Sequence, residues 1–516
     1  APIDAATGLP VPTIAVATNT GLSVITDSGQ VFDKTTTSGN IYSRLYKIAF
    51  LENNDLCYYH DRGYNKRNVL AVYPVSRYTT QDYSSFAQGG DRIWGSYPTG
   101  YPAGIGTNAN SSDSFSTITA HGNEIAAGKG IGLSIFDVQD TEDQSAVAYT
   151  TSTYNTGWMN GDIKLATLSD TDDTDVTGSE LVTNGDFAGN LNNWDDNSSG
   201  TGSVVYDSGT GAAKFTRVDG NNNGLLAQGM SLVSGQKYVL SFDVATGTNT
   251  NVQIRGYISS TNTTGTVIEN SFAVSAGNSY GVTFVAPSGE DGLEFRGITG
   301  TNTVLYLDNI SVRLAEEDRS VNGNGLQVFG TVTKSAVATG ADLVAYSGFS
   351  ASNYLEQPYN SDLDFGTGDF SFTCWVYGGD ASVDYAWCRG GPNGGNPDRI
   401  IGLRTNSSVW EYITFDGQTK VVTGPSVSNV WQQFVCLRAN GILKMYVNGV
   451  LQSDTETVNS NMDGGTNHIL RVGKNTWLND PFAGSIALLR ISATAPSPEQ
   501  IAKIYEDEKF LFQDGA

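Results

Sequence analysis

Phe370-Ser371-Phe372-Thr373-Cys374-Trp375-Val376 is the stretch whose reading decides the fold. Phe372, Cys374 and Val376 alternate with Ser371, Thr373, Trp375 and the following Tyr377, the period of two that a β-strand with two distinct faces produces. Downstream, Asn448-Gly449 separates apolar runs at 443–447 and 450–452, a two-residue hairpin signal of the type I′ class. The rest of the chain has the same texture. It holds 60 glycines and only 16% charged residues, with Thr, Ser, Asn and Asp clustered between short apolar runs. That composition suits many short strands joined by tight turns, and the fold class expected is all-β. A helical pattern shows clearly only over 497–509, where Pro498 opens a run carrying Ile501, Ile504 and Tyr505.

At 516 residues the chain exceeds one hydrophobic core, so about three domains are expected. Residues 1–178 read as repeated antiparallel hairpins. Strands are predicted at 14–18, 22–26 and 30–33, at 46–51, 56–60 and 69–73, and at 116–120, 124–127 and 132–137. Turns such as Asn19-Thr20-Gly21, Asp27-Ser28-Gly29 and Glu52-Asn53-Asn54-Asp55 separate them. Repeats of this kind are similar to blades of a β-propeller, about three at a spacing of ~40–50 residues, too few to close a ring. Repeated hairpins of another β-meander are the alternative. Residues 168–178, rich in Asp and Thr and closing on Gly178, read as a solvated linker, since they lack the Gly and Glu positions of a calcium-binding EF-hand loop.

Two β-sandwich domains are expected beyond it, at 179–315 and 316–508. The first opens on Glu180-Leu181-Val182-Thr183-Asn184-Gly185-Asp186-Phe187 with Trp194 and closes on Leu305-Tyr306-Leu307-Asp308-Asn309-Ile310-Ser311-Val312. This pairing resembles the jelly-roll carbohydrate-binding modules of the family 4, 9 and 22 group. The second carries, in order, Asn353-Tyr354-Leu355, Leu363-Asp364-Phe365, the 370–376 strand, Trp431 to Leu437, the Asn448-Gly449 hairpin and Phe482 to Ile491. That series resembles a laminin-G-like, concanavalin A-type jelly roll. Residues 509–516 read as a strand without a partner, the start of a further segment. On this reading the two sandwiches are an insertion into a propeller loop.

Several function classes find no support. The net charge of −24 (29 Lys+Arg against 53 Asp+Glu) repels nucleic acid, and no basic stripe reverses it. No apolar run reaches the length of a membrane span. Only three histidines occur, none beside a nucleophile motif, and no Glu-x-Asp-x-x-Glu series supplies hydrolytic carboxylates. The acidic clusters Glu290-Asp291 with Glu294, and Glu316-Glu317-Asp318, have other spacings. Cys57, Cys374, Cys388 and Cys436 are dispersed and read as buried thiols, with a Cys374–Cys436 bridge left open. The chain is therefore expected to be non-enzymatic.

Sugar binding needs a face with rings, amides and charged planar groups. Over 251–258, Val252, Ile254 and Ile258 form one set, and Gln253, Arg255 and Tyr257 the other. Over 293–297, Leu293 and Phe295 point inward, and Glu294 and Arg296 outward. Gln253, Arg255, Tyr257, Glu294 and Arg296 are thus the candidate carbohydrate-binding strip; the same residues also read as an ordinary solvated face with an Arg–Glu pair. The resemblance to the carbohydrate-binding modules further implies a structural calcium held by Asp186 and Asp308, although Ala188 stands where that group often has an acid. In the third domain Ala487 and Leu488 replace an acidic pair, and no metal is expected there. Trp194, Trp375 and Trp431 occupy positions that these families use for core packing; Trp387, Trp410 and Trp477 fall near predicted loops and are freer candidates.

The order of modules resembles that of phage tail-fibre or appendage proteins. It implies a homo-oligomeric virion-surface protein, assembled with other virion subunits, that presents binding domains to host-surface glycans. The alternatives are a secreted bacterial adhesin, the accessory region of a polysaccharide-degrading enzyme, or spacer domains without a ligand.

Overall fold

The computed structural model describes residues 161–167, 171–320, 322–391, 399–466 and 468–515, and before them the strands of residues 14–160 together with Gln30. The protein is all-β, with one helix of more than one turn among the described residues. The chain divides into two compact units, one made mainly of residues 1–149 and one mainly of residues 163–516.

The first unit is a series of antiparallel meanders. Ile14–Thr18, Gly21–Ile25 and Val31–Thr35 form one sheet, and Ser43–Phe50, Leu56–Arg62, Arg67–Tyr73 and Arg92–Trp94 a second. Thr117–His121, Glu124–Lys129, Gly132–Asp137, Gln144–Thr150 and Thr156–Gly161 form the third. Each strand read from the sequence is present, within a few residues at its ends. No closed ring of blades is seen among the described residues.

The second unit holds two sandwiches. In the first, Ser203–Asp207, Ala212–Arg217, Thr303–Glu316, Lys237–Gly247 and Asn278–Val285 form one sheet. Asp195–Asp196, Leu225–Gly229, Gly292–Gly297, Asn251–Ile258 and Thr263–Ala273 form the other. Phe187, Trp194, Phe215, Leu240, Val252, Ile254, Phe295 and Val312 fill the space between. The opening and closing motifs meet: Leu181 donates its N–H to the Val312 carbonyl (3.0 Å) and Ile310 to that of Gly185 (2.9 Å). Trp194 Nε1 donates to the Asn184 carbonyl (3.0 Å), fixing its ring against Phe187.

In the second sandwich Gly484–Ser492, Phe370–Gly378, Gln432–Ala439, Ile442–Val447 and Val450–Thr457 run side by side. They face a sheet of Tyr354–Gln357, Ile469–Val472, Tyr385–Gly390, Ile400–Asn406, Val409–Phe415 and Thr419–Ser426. Leu326–Ala336 contributes to both sheets, bending at Gly330 (φ 61°), where a Cβ would lie 2.1 Å from Asn353 Oδ1. Phe372, Cys374 and Val376 enter the core between the sheets, and Phe372 stacks on Trp387 at 4.2 Å. Asn448 and Gly449 both have positive φ, as the hairpin requires. Cys374, Cys388 and Cys436 are free and buried.

Three expectations are corrected. Residues 163–167 and 176–178 do not belong to the meanders: Ile163–Thr167 pairs with Gly484–Ser492, and Val176–Gly178 with the bend of Leu326–Ala336. The sandwich unit therefore begins near residue 163, and the acidic stretch leads directly into it, with Asp175 accepting from the Lys334 N–H (3.0 Å). The tail is not a strand. Helix Pro498–Glu508, capped by Ser497 and Gln500, continues into a 3-10 turn at Lys509–Phe512. Phe512 stacks on Trp375 (4.1 Å) and packs against Trp431. The tail closes the second sandwich, and the partner it lacked in sequence is that domain's own outer face.

Candidate functional site

The candidate strip lies on strands Asn251–Ile258 and Gly292–Gly297, whose register sets Gln253 opposite Arg296 and Arg255 opposite Glu294. Val252, Ile254, Leu293 and Phe295 belong to the core. Alternation therefore turns Gln253, Arg255, Tyr257, Glu294 and Arg296 to the other face of the sheet, as the sequence predicts. The structure places all five on one face of the sheet, where Gln253 and Arg296 bond each other and the other three bond neighbouring turns and the edge strand.

Their exposure differs from the expectation. Tyr257 is fully buried, and Gln253 and Glu294 nearly so. The neighbouring edge strand Thr263–Ala273 pairs through three register shifts. From its start Thr264 donates to Glu294 Oε2 (2.7 Å), while Gln253 Nε2 donates to Asn270 Oδ1 (2.8 Å) further along. Asp195 and Asn262 close over the phenol: the Tyr257 hydroxyl donates to Asp195 Oδ2 at 2.6 Å and lies 2.8 Å from Asn262 Oδ1. Burial, and then that bond to Asp195, push the phenol well above its ordinary pKa. Tyr257 is thus a structural post rather than a ring on which a sugar stacks. Glu290 is a further buried carboxylate, accepting from the Thr266 N–H (2.7 Å) and hydroxyl (2.6 Å). Its room comes from Gly256, where a Cβ would stand 1.5 Å from Glu290 Oε2.

Arg255 and Arg296 are the two members that stay half-exposed. Arg255 donates from Nε (3.1 Å) and one terminal nitrogen (2.8 Å) to the Gly265 carbonyl. Arg296 donates from Nε to Gln253 Oε1 (2.7 Å). Burial and then the neighbouring Arg255 charge lower the basicity of Arg296, with Glu294 opposing. The face therefore has a floor of buried acceptors and two anchored guanidinium groups at its surface. Sequence reasoning found the two central strands because their alternation is local. It missed Asp195, Asn262 and Thr264, which arrive from turns and edges without a pattern.

Asp186 and Asp308 lie near each other and near Asp243 at the end of the sandwich, as the influence of both neighbours on Asp308 shows. Burial first, and then those two carboxylates, raise its pKa. Asp308 Oδ1 accepts from the Asn309 N–H (2.8 Å), and Asp243 Oδ2 from Asn309 Nδ2 (2.8 Å). Among the described residues no group of three or more His, Cys, Asp or Glu side chains is placed to hold a metal ion. Trp387 and Trp410 are corrected as well: both are fully buried in the core of the second sandwich. Trp477 is partly exposed, edge-on to Tyr385. Trp194 and Trp375 are buried, and Trp431 is partly so, donating from Nε1 to the Val337 carbonyl (2.7 Å).

Comparison with known proteins places the second sandwich. Residues 349–502 match the family described as the concanavalin A-like lectin/glucanases superfamily. No curated protein matches the chain. Among solved structures it is similar to the receptor binding domain of botulinum neurotoxin C/D mosaic serotype, at 15% identity over 37% of this chain and 48% of that one, TM-score 0.30. It is also similar to domain 4 of AbnA, a GH43 extracellular arabinanase from Geobacillus stearothermophilus, at 19% identity over 37% of this chain and 92% of that one, TM-score 0.27. A third is the SAP-like pentraxin of Limulus polyphemus, at 12% identity over 29% of this chain and 79% of that one, TM-score 0.23. The chain spans about half the length of the first of these. Among the described residues no helix is long and apolar enough to cross a membrane.

Proposed function

We propose that this chain is a non-catalytic glycan-binding protein, displayed on a virion appendage, that attaches to host-surface carbohydrate through the outward face of its first sandwich. The observation that carries the reading is the gathering of five polar residues of two strands on one face of the sheet, with Arg255 and Arg296 left reachable at its surface. Burying polar groups is unfavourable unless they are hydrogen-bonded, and Gln253 and Glu294 are so held beneath the face, which fixes the side chains above them. The concanavalin A-like match of residues 349–502 agrees with a binding role for the sandwich unit. The meanders of the first unit support a propeller-like stalk, and the repeated antiparallel modules suit a homo-oligomeric fibre.

The test is binding of the full chain to a glycan array, followed by reducing-end analysis of any bound oligosaccharide after prolonged incubation. Retention of intact glycan, abolished in the Arg255→Gln/Arg296→Gln double variant, is expected. Retention that survives the double variant, or cleavage of the glycan, contradicts the proposal.

A further inference from the structure

We infer that the glycan taken by this face is an acidic one, and that Arg255 and Arg296 together receive a carboxylate or sulfate group of an acidic sugar. This rests on the proposed glycan-binding face and adds the class of its ligand.

The chain has 53 acidic and 29 basic residues, so an arginine without a carboxylate partner stands out. In the sandwich unit Arg313, Arg389, Arg404, Arg471 and Arg490 each lie within ion-pair distance of a carboxylate. Arg438 has no such partner, but it is buried and spends Nε and both terminal nitrogens on the carbonyls of Gly366, Gly368 and Ser460. Arg217 is part-exposed and unpaired too, held by the Gly300 carbonyl and the Asn223 amide; Arg255 and Arg296 fit neither of the first two patterns and differ from Arg217 in standing side by side on one ladder. They make no ion pair, they are half-exposed, and each leaves terminal N–H groups unused. Arg255 uses Nε and one terminal nitrogen, both on a single carbonyl oxygen. Arg296 uses Nε alone, on the Gln253 amide.

Both head groups are therefore held in direction by neutral acceptors, and neither stands in an ion pair. Cross-strand register makes them diagonal neighbours, close enough to repel: the charge of Arg255 lowers the basicity of Arg296. Glu294 lies opposite Arg255 in the ladder and its charge favours that of Arg296, but its Oε2 accepts from Thr264 and it forms no ion pair with either arginine. Two adjacent guanidinium groups, preset by neutral anchors, match an acceptor with two or three oxygens and a negative charge. A neutral sugar hydroxyl would leave the repulsion between them in place. The acidity of the whole surface disfavours long polyanions at a distance, but at physiological salt screening confines that effect to about 8 Å, so recognition of one charged group at contact remains favourable.

The experiment uses the full chain and an array carrying matched pairs: uronate oligosaccharides with their methyl esters, and sulfated glycans with their desulfated forms, with single-stranded DNA as a second polyanion. Binding is expected to the acidic members, weaker by about 10-fold or more for the neutral partner and for either single Arg→Gln variant. Affinity is expected to fall as salt rises. Equal binding of the methyl ester, or preference for neutral members, overturns the acidic assignment while leaving glycan binding intact. Comparable binding of the DNA overturns it in favour of a general anion trap. Acidic glycans bound equally by the double variant overturn the role of the pair. Retention of no glycan at all overturns the glycan-binding reading itself.

Discussion

The strands Asn251–Ile258 and Phe370–Gly378 each send one face into a sandwich core, yet their outer faces end differently. On the second, Ser371, Thr373 and Trp375 are buried, Trp375 under helix Pro498–Glu508 and the tail, and only Tyr377 at the strand's end stays exposed. Glu508 is fully buried and accepts from both terminal nitrogens of buried Arg490 (2.5 and 3.0 Å) and from Trp375 Nε1 (2.7 Å). On the first, Gln253, Tyr257 and Glu294 are sealed by turns, but Arg255 and Arg296 stay half-exposed and without a carboxylate partner. The polar group around Glu508 has its charges paired inside the fold; the one around Gln253 keeps two guanidinium groups that stand in no ion pair.

The comparison breaks most easily at Glu508. Glu508→Ala strands the buried Arg490 charge and should destabilise the sandwich unit by about 3–5 kcal/mol in denaturant unfolding; a loss under ~1 kcal/mol would mean the clamp is ornamental. Phe512→Ala removes the ring stacked on Trp375 and should cost about 2 kcal/mol by the same measurement. Deletion of residues 509–516 should do at least as much, because the tail is part of the domain.

Titration sharpens the contrast further. Burial, and then the neighbouring Asp380 and Asp480, push Asp384 up to about 6. Its folded pKa is raised above the unfolded value of ~3.9, so the stability it lends is full below that value and is lost as pH rises through about 6. The melting temperature of the parent chain should fall more than that of Asp384→Asn between those limits, and parallel curves would refute it. On the open face the expectation is smaller: Arg255→Gln with Arg296→Gln should cost about 1 kcal/mol, through the hydrogen bonds lost at Gly265 and Gln253 rather than any ion pair. Smallest of all is the effect of a chelator. With Asp243 and Asp308 each accepting from Asn309, EDTA is expected to leave the melting temperature in place, and a clear fall would support calcium at Asp186 and Asp308.

What was legible in sequence was local. Alternation over 251–258 and 370–376, the Asn448-Gly449 hairpin and the helical run opened by Pro498 are each local, and each is present. What was not legible depends on partners far along the chain. Asp195 reaches Tyr257 across 62 positions, and Trp375 finds Glu508 across 133. Residues 163–167 join a strand more than three hundred positions away, which no composition shift could announce. Trp387 and Trp410 looked loop-borne because their flanks are rich in Gly, Asn and Ser, while their rings sit in the core. The strip was visible as a set of residues; its division into buried posts and reachable arginines was not.

The most direct test of the central claim is a crystal structure of the chain with a bound acidic oligosaccharide. The account predicts a carboxylate or sulfate within hydrogen-bond distance of the terminal nitrogens of both Arg255 and Arg296. A sugar bound elsewhere, with those two side chains still unengaged, would contradict it.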